Sequence, residues 1–242
     1  MKIFFLASAL ILIFFNLSYS ASLDDAYKDY LSADYEEALI KAKHLQENDE
    51  VLYFLGLTYI KIGNYPQARD YLIRLSKNYP RSQLEVQGFV RFADSYFLEG
   101  DLIKAKVSYE DIEKKYPSCS YTPLVYLRLA QIAGKEGKWQ DKKKYIGKLK
   151  EKYAQSVESR FIDDLEESDD FFTIQIGAFS NKKNASMLKQ ELADRPDIYI
   201  VEDKKEGNVL YKVRAGKFAS RKDAEKVYIK LIKKGYPARI YP

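Results

Sequence analysis

The sequence predicts a two-domain chain, with an α-helical repeat domain followed by a small α/β domain. Two internal repeats predict this organisation. One has a period of 37 residues and places Gly63, Gly100 and Gly137 at one position. The other has an offset of 39 residues and relates Gly177 to Gly216. Because repeats of this length mark units that bury a core only by packing together, each region is expected to form its own domain.

The first 20 residues have the organisation of a signal peptide. Lys2 precedes a thirteen-residue apolar run over 3–15, and small residues at Ser18 and Ser20 favour cleavage before Ala21. The run is short for a membrane span, although an uncleaved anchor is the alternative. No Cys follows it, which argues against a lipid anchor. The segment therefore predicts export to the periplasm or cell envelope, with no stable membrane span after cleavage.

Residues 21–156 show small, apolar and aromatic residues at recurring helical positions. Four positions recur 37 residues apart: Ala68, Leu72, Leu75 and Pro80 correspond to Ala105, Tyr109, Ile112 and Pro117. Gly56 and Ala93 hold a position where facing helices approach closely. The pattern resembles tetratricopeptide repeats of bacterial envelope proteins and predicts stacked helix-turn-helix units.

The resemblance to tetratricopeptide repeats implies a concave surface that binds a protein partner. The first helix of each repeat would line it, which gives a predicted partner groove of Tyr53, Leu57, Val90, Asp94, Phe97, Leu127 and Gln131. The alternative for each residue is ordinary helix packing. The third copy has Lys142 where Ala is expected, so we interpret it as a cap.

Residues 157–170 separate the two regions. Over 156–170, seven acidic residues stand against Arg160 alone. Such a segment repels itself and predicts an extended tether, with an extension of the last helix as the alternative.

Residues 171–242 contain two similar halves, each read as strand, helix and strand. Alternation in the first strand places Ile174 and Ile176 on one face, with Gln175, Gly177 and Phe179 on the other. The second half repeats this, with Tyr211 and Val213 inward and Lys212, Arg214, Gly216 and Phe218 outward. Leu188 with Leu192, and Val227 with Leu231, have the apolar spacing of a helix that faces a core. A short strand closes each half, over 199–201 in the first and 238–241 in the second. The predicted fold is βαββαβ, a four-stranded antiparallel sheet with both helices on one face.

The open face of this sheet is the candidate binding surface. Gln175 and Arg214 occupy equivalent positions beside glycines, which are expected to leave the backbone accessible, with Phe179 and Phe218 nearby. Planar hydrogen-bonding groups beside aromatic rings suit a sugar ring. They also suit nucleic acid, which some four-stranded sheets bind by stacking bases. The alternative is that the phenylalanines fold over the sheet edge into the core.

The runs FTIQIGAFSNKKNA and LYKVRAGKFASRKDA resemble the SPOR (sporulation-related repeat) domain over about 170–242. The resemblance implies binding to peptidoglycan, with preference for glycan strands stripped of their stem peptides. Together with the face described above, it gives a predicted glycan site of Gln175, Phe179, Ser180, Asn181, Arg214 and Phe218. Lys217 and Ala215 depart from common family residues, and the sole tryptophan, Trp139, lies outside the domain, so an exposed Trp contact is missing.

Charge and composition limit the remaining function classes. Residues 170–242 hold 16 Lys and Arg against 9 Asp and Glu, which favours an anionic polymer, although Lys230, Lys233 and Lys234 suit a solvated helix face. Export argues against nucleic acid as the partner. With Cys119 and His44 as the sole Cys and His, neither an internal disulfide nor a Cys/His zinc site is expected, and no cofactor is implied.

The sequence therefore predicts a non-enzymatic adaptor of the cell envelope, with a role in cell division or wall remodelling. Its C-terminal domain would bind peptidoglycan and its helical repeats would bind a protein. One alternative is a cell-wall hydrolase or its cofactor. Another is a structural envelope or secretion component that the C-terminal domain only localises.

Overall fold

The structure is a computed structural model that describes residues 22–167, 170–205 and 207–241. The predicted signal peptide, 1–20, lies outside the described residues. The chain divides into two compact units, Met1–Tyr79 and Pro80–Pro242. In the described ranges, no helix combines the length and hydropathy that a membrane span requires.

The first unit is built from helical hairpins, α1 (Leu23–Leu31), α2 (Tyr35–Lys43), α3 (Asp49–Lys61) and α4 (Tyr65–Asn78). Gly56 explains why small residues recur at the helix crossing: a Cβ atom there would lie 2.7 Å from the Leu72 side chain. Gly63 adopts φ +78° in the turn between α3 and α4. Ala33 has φ +63° in the turn between α1 and α2, a conformation that glycine adopts at less cost.

The second unit begins with helices α5 (Glu85–Glu99), α6 (Leu102–Lys115), α7 (Thr122–Glu136) and α8 (Trp139–Lys152). Gly100 and Gly137 end α5 and α7 in the left-handed conformation, with φ of +89° and +73°. These turns explain the 37-residue recurrence of glycine, since a side chain is disfavoured at such a φ. Tyr109 and Leu129 lie in the core between these helices, with 0% and 1% exposure.

The acidic segment is helical, so the prediction of an extended tether is wrong for residues 157–167. It forms a 3₁₀ turn, Val157–Phe161, followed by α9 (Ile162–Glu167). Ile162 is buried in the repeat core and Leu165 packs against that core. Asp163, Asp164 and Glu166 are exposed, and Ile162 and Leu165 hold the segment against the helical core.

The C-terminal part of this unit has the predicted βαββαβ order. It comprises β1 (Phe172–Phe179), α10 (Lys182–Glu191), β2 (Ile198–Lys205), β3 (Asn208–Phe218), α11 (Arg221–Lys233) and β4 (Arg239–Tyr241). The strands pair antiparallel in the order β2-β3-β1-β4. Ala185 of α10 and Leu231 of α11 share one core with Ile174 and Val213, so both helices cover the same face. The predicted fold class is confirmed.

The α7–α8 hairpin packs directly against the sheet domain. The Trp139 ring at the start of α8 lies 5.3 Å from the Phe172 ring at the start of β1. A Cβ atom at Gly137 would lie 2.8 Å from Phe172, so the α7–α8 turn needs glycine both for its φ and for this close approach. The tryptophan that the sequence places outside the domain therefore completes the domain's core at one end.

Candidate functional site

Two irregularities in the β1–β3 pairing decide which side chains face outward. Gln175 lies opposite Arg214, but Gly177 lies opposite Val213, so β1 has one extra residue between them. Near the other end of the ladder, β3 has an extra residue beside Gly216. Each bulge lies at the motif glycine of its half, and each reverses the alternation of side chains beyond it.

Phe179 and Phe218 consequently pack on the helix-covered side, and their predicted outward orientation is wrong. Both rings contact the core that Ile174 and Leu192 share with α10 and α11. A Cβ atom at Gly177 would lie 2.8 Å from the Phe179 ring, and one at Gly216 would lie 2.2 Å from the Phe218 ring. The glycines therefore accommodate phenylalanine rings and do not leave the backbone open to a sugar.

Gln175 and Arg214 lie together on the face away from the helices. The pairing of the four strands extends this pair into a row across the whole sheet: Tyr199, Arg214, Gln175 and Arg239. Ile174 and Ile176, on either side of Gln175, are buried beneath the helices, which fixes the outward direction of the glutamine. The row offers amide, guanidinium and phenol groups on one surface.

The central pair of this row has unused hydrogen-bonding atoms. Gln175 Oε1 and Arg214 Nε are shielded from solvent and have no hydrogen-bond partner among the described residues. Leaving such atoms unpaired costs about 1–3 kcal/mol for each buried group. Rotation of these side chains toward the open face would let a ligand with hydroxyl or amide groups pair with both atoms, which makes this pair the centre of the candidate site.

Aromatic and cationic side chains surround the central pair. The guanidinium carbons of Arg214 and Arg239 lie 5.8 Å and 5.4 Å from the centroid of the Tyr241 ring. Tyr199 is held by a hydrogen bond of 2.9 Å between its hydroxyl and that of Thr173. The aromatic rings near the central pair are therefore those of Tyr199 and Tyr241, and not the predicted rings of Phe179 and Phe218.

Two further cations lie on this face. The Lys217 Nζ atom lies 4.6 Å from the Phe171 ring centroid and 5.7 Å from that of Tyr199. Lys212 forms an ion pair with Asp203. The sequence reasoning missed Tyr199, Tyr241 and Arg239 because only the strand register shows that they flank Gln175 and Arg214.

Ser180 and Asn181 lie at the end of β1, away from this row. Five residues separate Ser180 from Gln175, roughly 15 Å along a strand. Asn181 is the N-cap of α10, and its Oδ1 atom accepts a hydrogen bond of 2.8 Å from the Lys183 backbone N–H. The structure does not bring these two residues together with Gln175 and Arg214, so their contact with the same ligand requires a chain of several sugar units.

The residues of the predicted partner groove divide by exposure. Four of them are buried in helix packing: Tyr53, Val90, Asp94 and Leu127. Three are partly exposed: Leu57, Phe97 and Gln131. Helix packing therefore explains the first four. A partner could reach only the other three directly.

Asp94 holds neighbouring helices of the second unit together. Its carboxylate accepts hydrogen bonds of 2.6 Å from the Tyr109 hydroxyl, 2.9 Å from Arg91 and 3.3 Å from Arg128. Burial, together with the Asp94 carboxylate, raises the pKa of Tyr109 far above its ordinary value, so the phenol stays protonated and remains a donor. Since three donors already satisfy this carboxylate, it has little capacity left for a partner's amide.

Comparison with protein-family models identifies both parts of the chain. Residues 168–240 match the SPOR domain, and residues 50–82 match a tetratricopeptide repeat. The predicted family resemblances are confirmed. No curated protein matches the sequence.

Solved structures with a similar arrangement include three proteins. MamA AMB-1 has 16% sequence identity and a TM-score of 0.45, and the match covers 60% of this chain and 78% of that chain. PilF of Pseudomonas aeruginosa has 18% identity and a TM-score of 0.44, with coverage of 61% of this chain and 68% of that chain. MamA MSR-1 has 17% identity and a TM-score of 0.44, with coverage of 60% of this chain and 82% of that chain. Likeness at this level carries no inference about function.

The described residues contain no group of three or more His, Cys, Asp and Glu side chains that could hold a metal ion. The SPOR domain and the tetratricopeptide repeat are both binding modules. The amide, guanidinium and phenol groups of the open face can bind a ligand through hydrogen bonds and ring contacts.

Proposed function

We propose that this protein is an exported, non-enzymatic adaptor that binds denuded glycan strands of peptidoglycan through its C-terminal sheet and a protein partner through its helical part. The match of residues 168–240 to the SPOR domain supports a peptidoglycan ligand. The match of residues 50–82 to a tetratricopeptide repeat supports a protein partner. Export by cleavage before Ala21, and a role in cell division or wall remodelling, belong to the same proposal.

The unpaired Gln175 Oε1 and Arg214 Nε atoms at the centre of the open face are the observation that carries the glycan proposal. A neutral sugar offers hydroxyl and N-acetyl groups that donate to an amide oxygen and accept from a guanidinium. Its apolar ring face suits the neighbouring rings of Tyr199 and Tyr241. Stem peptides would crowd a flat face of this kind, so strands without them fit it better.

The test is co-sedimentation with isolated wall sacculi. Each hydrogen bond to a neutral group contributes about 0.5–1.5 kcal/mol, and more where the donor is charged. We expect Gln175→Ala combined with Arg214→Ala to weaken sacculus binding at least tenfold, since about 1.4 kcal/mol is a factor of ten. The circular-dichroism spectrum should not change, because both side chains face away from the core.

The matched control is Lys230→Ala, which removes a cation from the exposed side of α11. Binding of this variant should equal that of the wild type, and removal of stem peptides from the sacculi should strengthen wild-type binding. Equal weakening by every lysine substitution, together with loss of binding in 0.5 M salt, would reduce the interaction to charge attraction. Release of muropeptides into the supernatant would contradict the non-enzymatic proposal.

A further inference from the structure

A large cleft separates the α7–α8 hairpin from the second half of the sheet domain, within the second unit. Its volume is about 810 Å³, within the range of ligand-binding cavities. Residues of α5, α7 and α9 form one wall, and residues of α11 and β4 form the other. The cleft adjoins the open face at Arg239 and Tyr241, but neither Gln175 nor Arg214 lines it.

The free edge of the sheet borders this cleft. In the strand order β2-β3-β1-β4, β4 is an edge strand that pairs with β1 alone among the described strands. Residues 238–241 all line the cleft, although the side chains of a strand alternate between its faces. The backbone edge of β4 must therefore face the cavity, and it offers hydrogen-bonding groups to an added strand.

Positive charge dominates the walls. Arg128, Lys135, Lys142, Arg221 and Arg239 line the cleft against two acidic residues, Asp164 and Glu225. Two of these cations already have a carboxylate partner at 3.3 Å: Arg221 pairs with Glu225, and Arg128 pairs with Asp94. Burial, together with the nearby Arg221 and Arg239, lowers the pKa of Lys135, as expected where cations are crowded. Carboxylates from a ligand would relieve this repulsion.

Apolar side chains form part of the cleft wall. Phe97, Leu165, Tyr228 and Ile229 line it. The Arg128 guanidinium lies 4.8 Å from the Phe97 ring and also donates to Gln131 Oε1 at 3.0 Å, so this wall is ordered. Phe97 and Gln131 are also two of the three partly exposed residues of the predicted partner groove. The cleft therefore includes part of that groove.

We propose that the cleft binds a short extended acidic segment of a partner protein, which adds as a strand to the free edge of β4 and places its carboxylates against Lys135 and Arg221. The free edge requires an extended backbone, the cations require acidic side chains, and the apolar wall accepts the side chains between them. The proposal deepens the adaptor function, because it gives the protein partner a chemistry and a place. It does not depend on glycan binding.

Fluorescence anisotropy with a fluorescein-labelled octapeptide of alternating valine and glutamate tests the proposal, with the full mature chain as the binding protein. We expect saturable binding that weakens at least tenfold when glutamine replaces glutamate in the peptide. A peptide N-methylated at the amides of one edge should also lose binding, because it cannot pair with β4. Lys135→Gln combined with Arg221→Gln should weaken binding at least tenfold, whereas Lys233→Gln, on the same helix α11, should not.

Several results would overturn the proposal. These are absence of binding at 1 mM peptide, equal binding of the N-methylated peptide, displacement by inorganic phosphate at matched charge concentration, or tighter binding of a single-stranded oligonucleotide. Lys135→Gln with Arg221→Gln should retain sacculus binding, since neither residue lies in the central row. Failure of sacculus binding by the wild type, with peptide binding intact, would refute the glycan proposal and leave this one standing.

Discussion

The two halves of the sheet domain share one sequence motif but have different neighbours. Among the element pairs with substantial contact, α10 packs on β1, β2 and β3, and α11 packs on β1, β3 and β4. In the second half, Arg221, Glu225 and Tyr228 of α11 and the edge of β4 border the cleft against the helical repeats. The duplication thus explains the shared core, and the positions where the halves differ explain the binding surfaces.

The open face also departs from the symmetry of the repeat. Gln175 and Arg214 are equivalent by the 39-residue offset, and they lie side by side in the ladder. Their outer neighbours are not equivalent, since Tyr199 corresponds to Ala238, and Arg239 to Ile200. The central pair therefore has Tyr199 on one side and Arg239 with the Tyr241 ring on the other, so the two sides of the proposed glycan site differ.

The sharpest test of the comparison is alanine substitution of the two motif glycines. Gly216 has φ +68°, and its Cβ atom would lie 2.2 Å from the Phe218 ring, so Gly216→Ala should destabilise the chain by roughly 2–4 kcal/mol. Gly177 is not in the left-handed region and its nearest contact is 2.8 Å, so Gly177→Ala should cost about 1–2 kcal/mol. Urea unfolding, followed by the fluorescence of Trp139 against Phe172, measures both.

The order of these two costs is the discriminating result. A larger loss for Gly177→Ala would mean that the bulge in β1 is the more constrained one, which contradicts the described geometry. Equal losses would mean that the two halves are equivalent at this position.

A smaller effect is expected at the N-caps of the two helices. Asn181 accepts a hydrogen bond from the Lys183 N–H, and Ser220 accepts one of 3.2 Å from the Asp223 N–H. Each alanine variant should lower the free energy of unfolding by about 1 kcal/mol, or about 2–4 °C in melting temperature for a chain of this size.

The Asn181→Asp variant separates capping from glycan contact. Aspartate caps a helix as well as asparagine does, so stability should be retained. Sacculus binding should fall if the Asn181 amide donates to the glycan, while Ser220→Ala should leave binding unchanged. Unchanged binding by Asn181→Asp would remove Asn181 from the predicted site.

The repeats explain how much of the fold was predictable. The 37-residue and 39-residue recurrences predicted the helical hairpins, the four strands and both covering helices, because a residue conserved within one chain at equivalent positions reports the same packing role. Gln175 and Arg214 were also placed on the correct face, since they precede the bulges and simple alternation holds there.

Features that depend on register or on distant contacts could not be predicted. Phe179 and Phe218 follow the bulges, so period-two alternation gave the wrong face. Tyr199 and Arg239 flank the central pair only through antiparallel pairing. The excess of acidic residues over 157–170 favoured an extended tether, although Ile162 and Leu165 have the spacing of a packed helical turn.

The central claim is that one chain binds glycan on the open face and an acidic segment in the cleft at the same time. The direct measurement is co-sedimentation of the fluorescein-labelled valine–glutamate octapeptide with sacculi, with and without the protein. The account predicts that peptide reaches the pellet only when protein is present. Gln175→Ala with Arg214→Ala should abolish this transfer because the protein no longer binds the sacculi. Lys135→Gln with Arg221→Gln should abolish it because the protein no longer binds the peptide. Release of the protein from the sacculi by the peptide would contradict the account, because it would show that the two ligands compete for one surface.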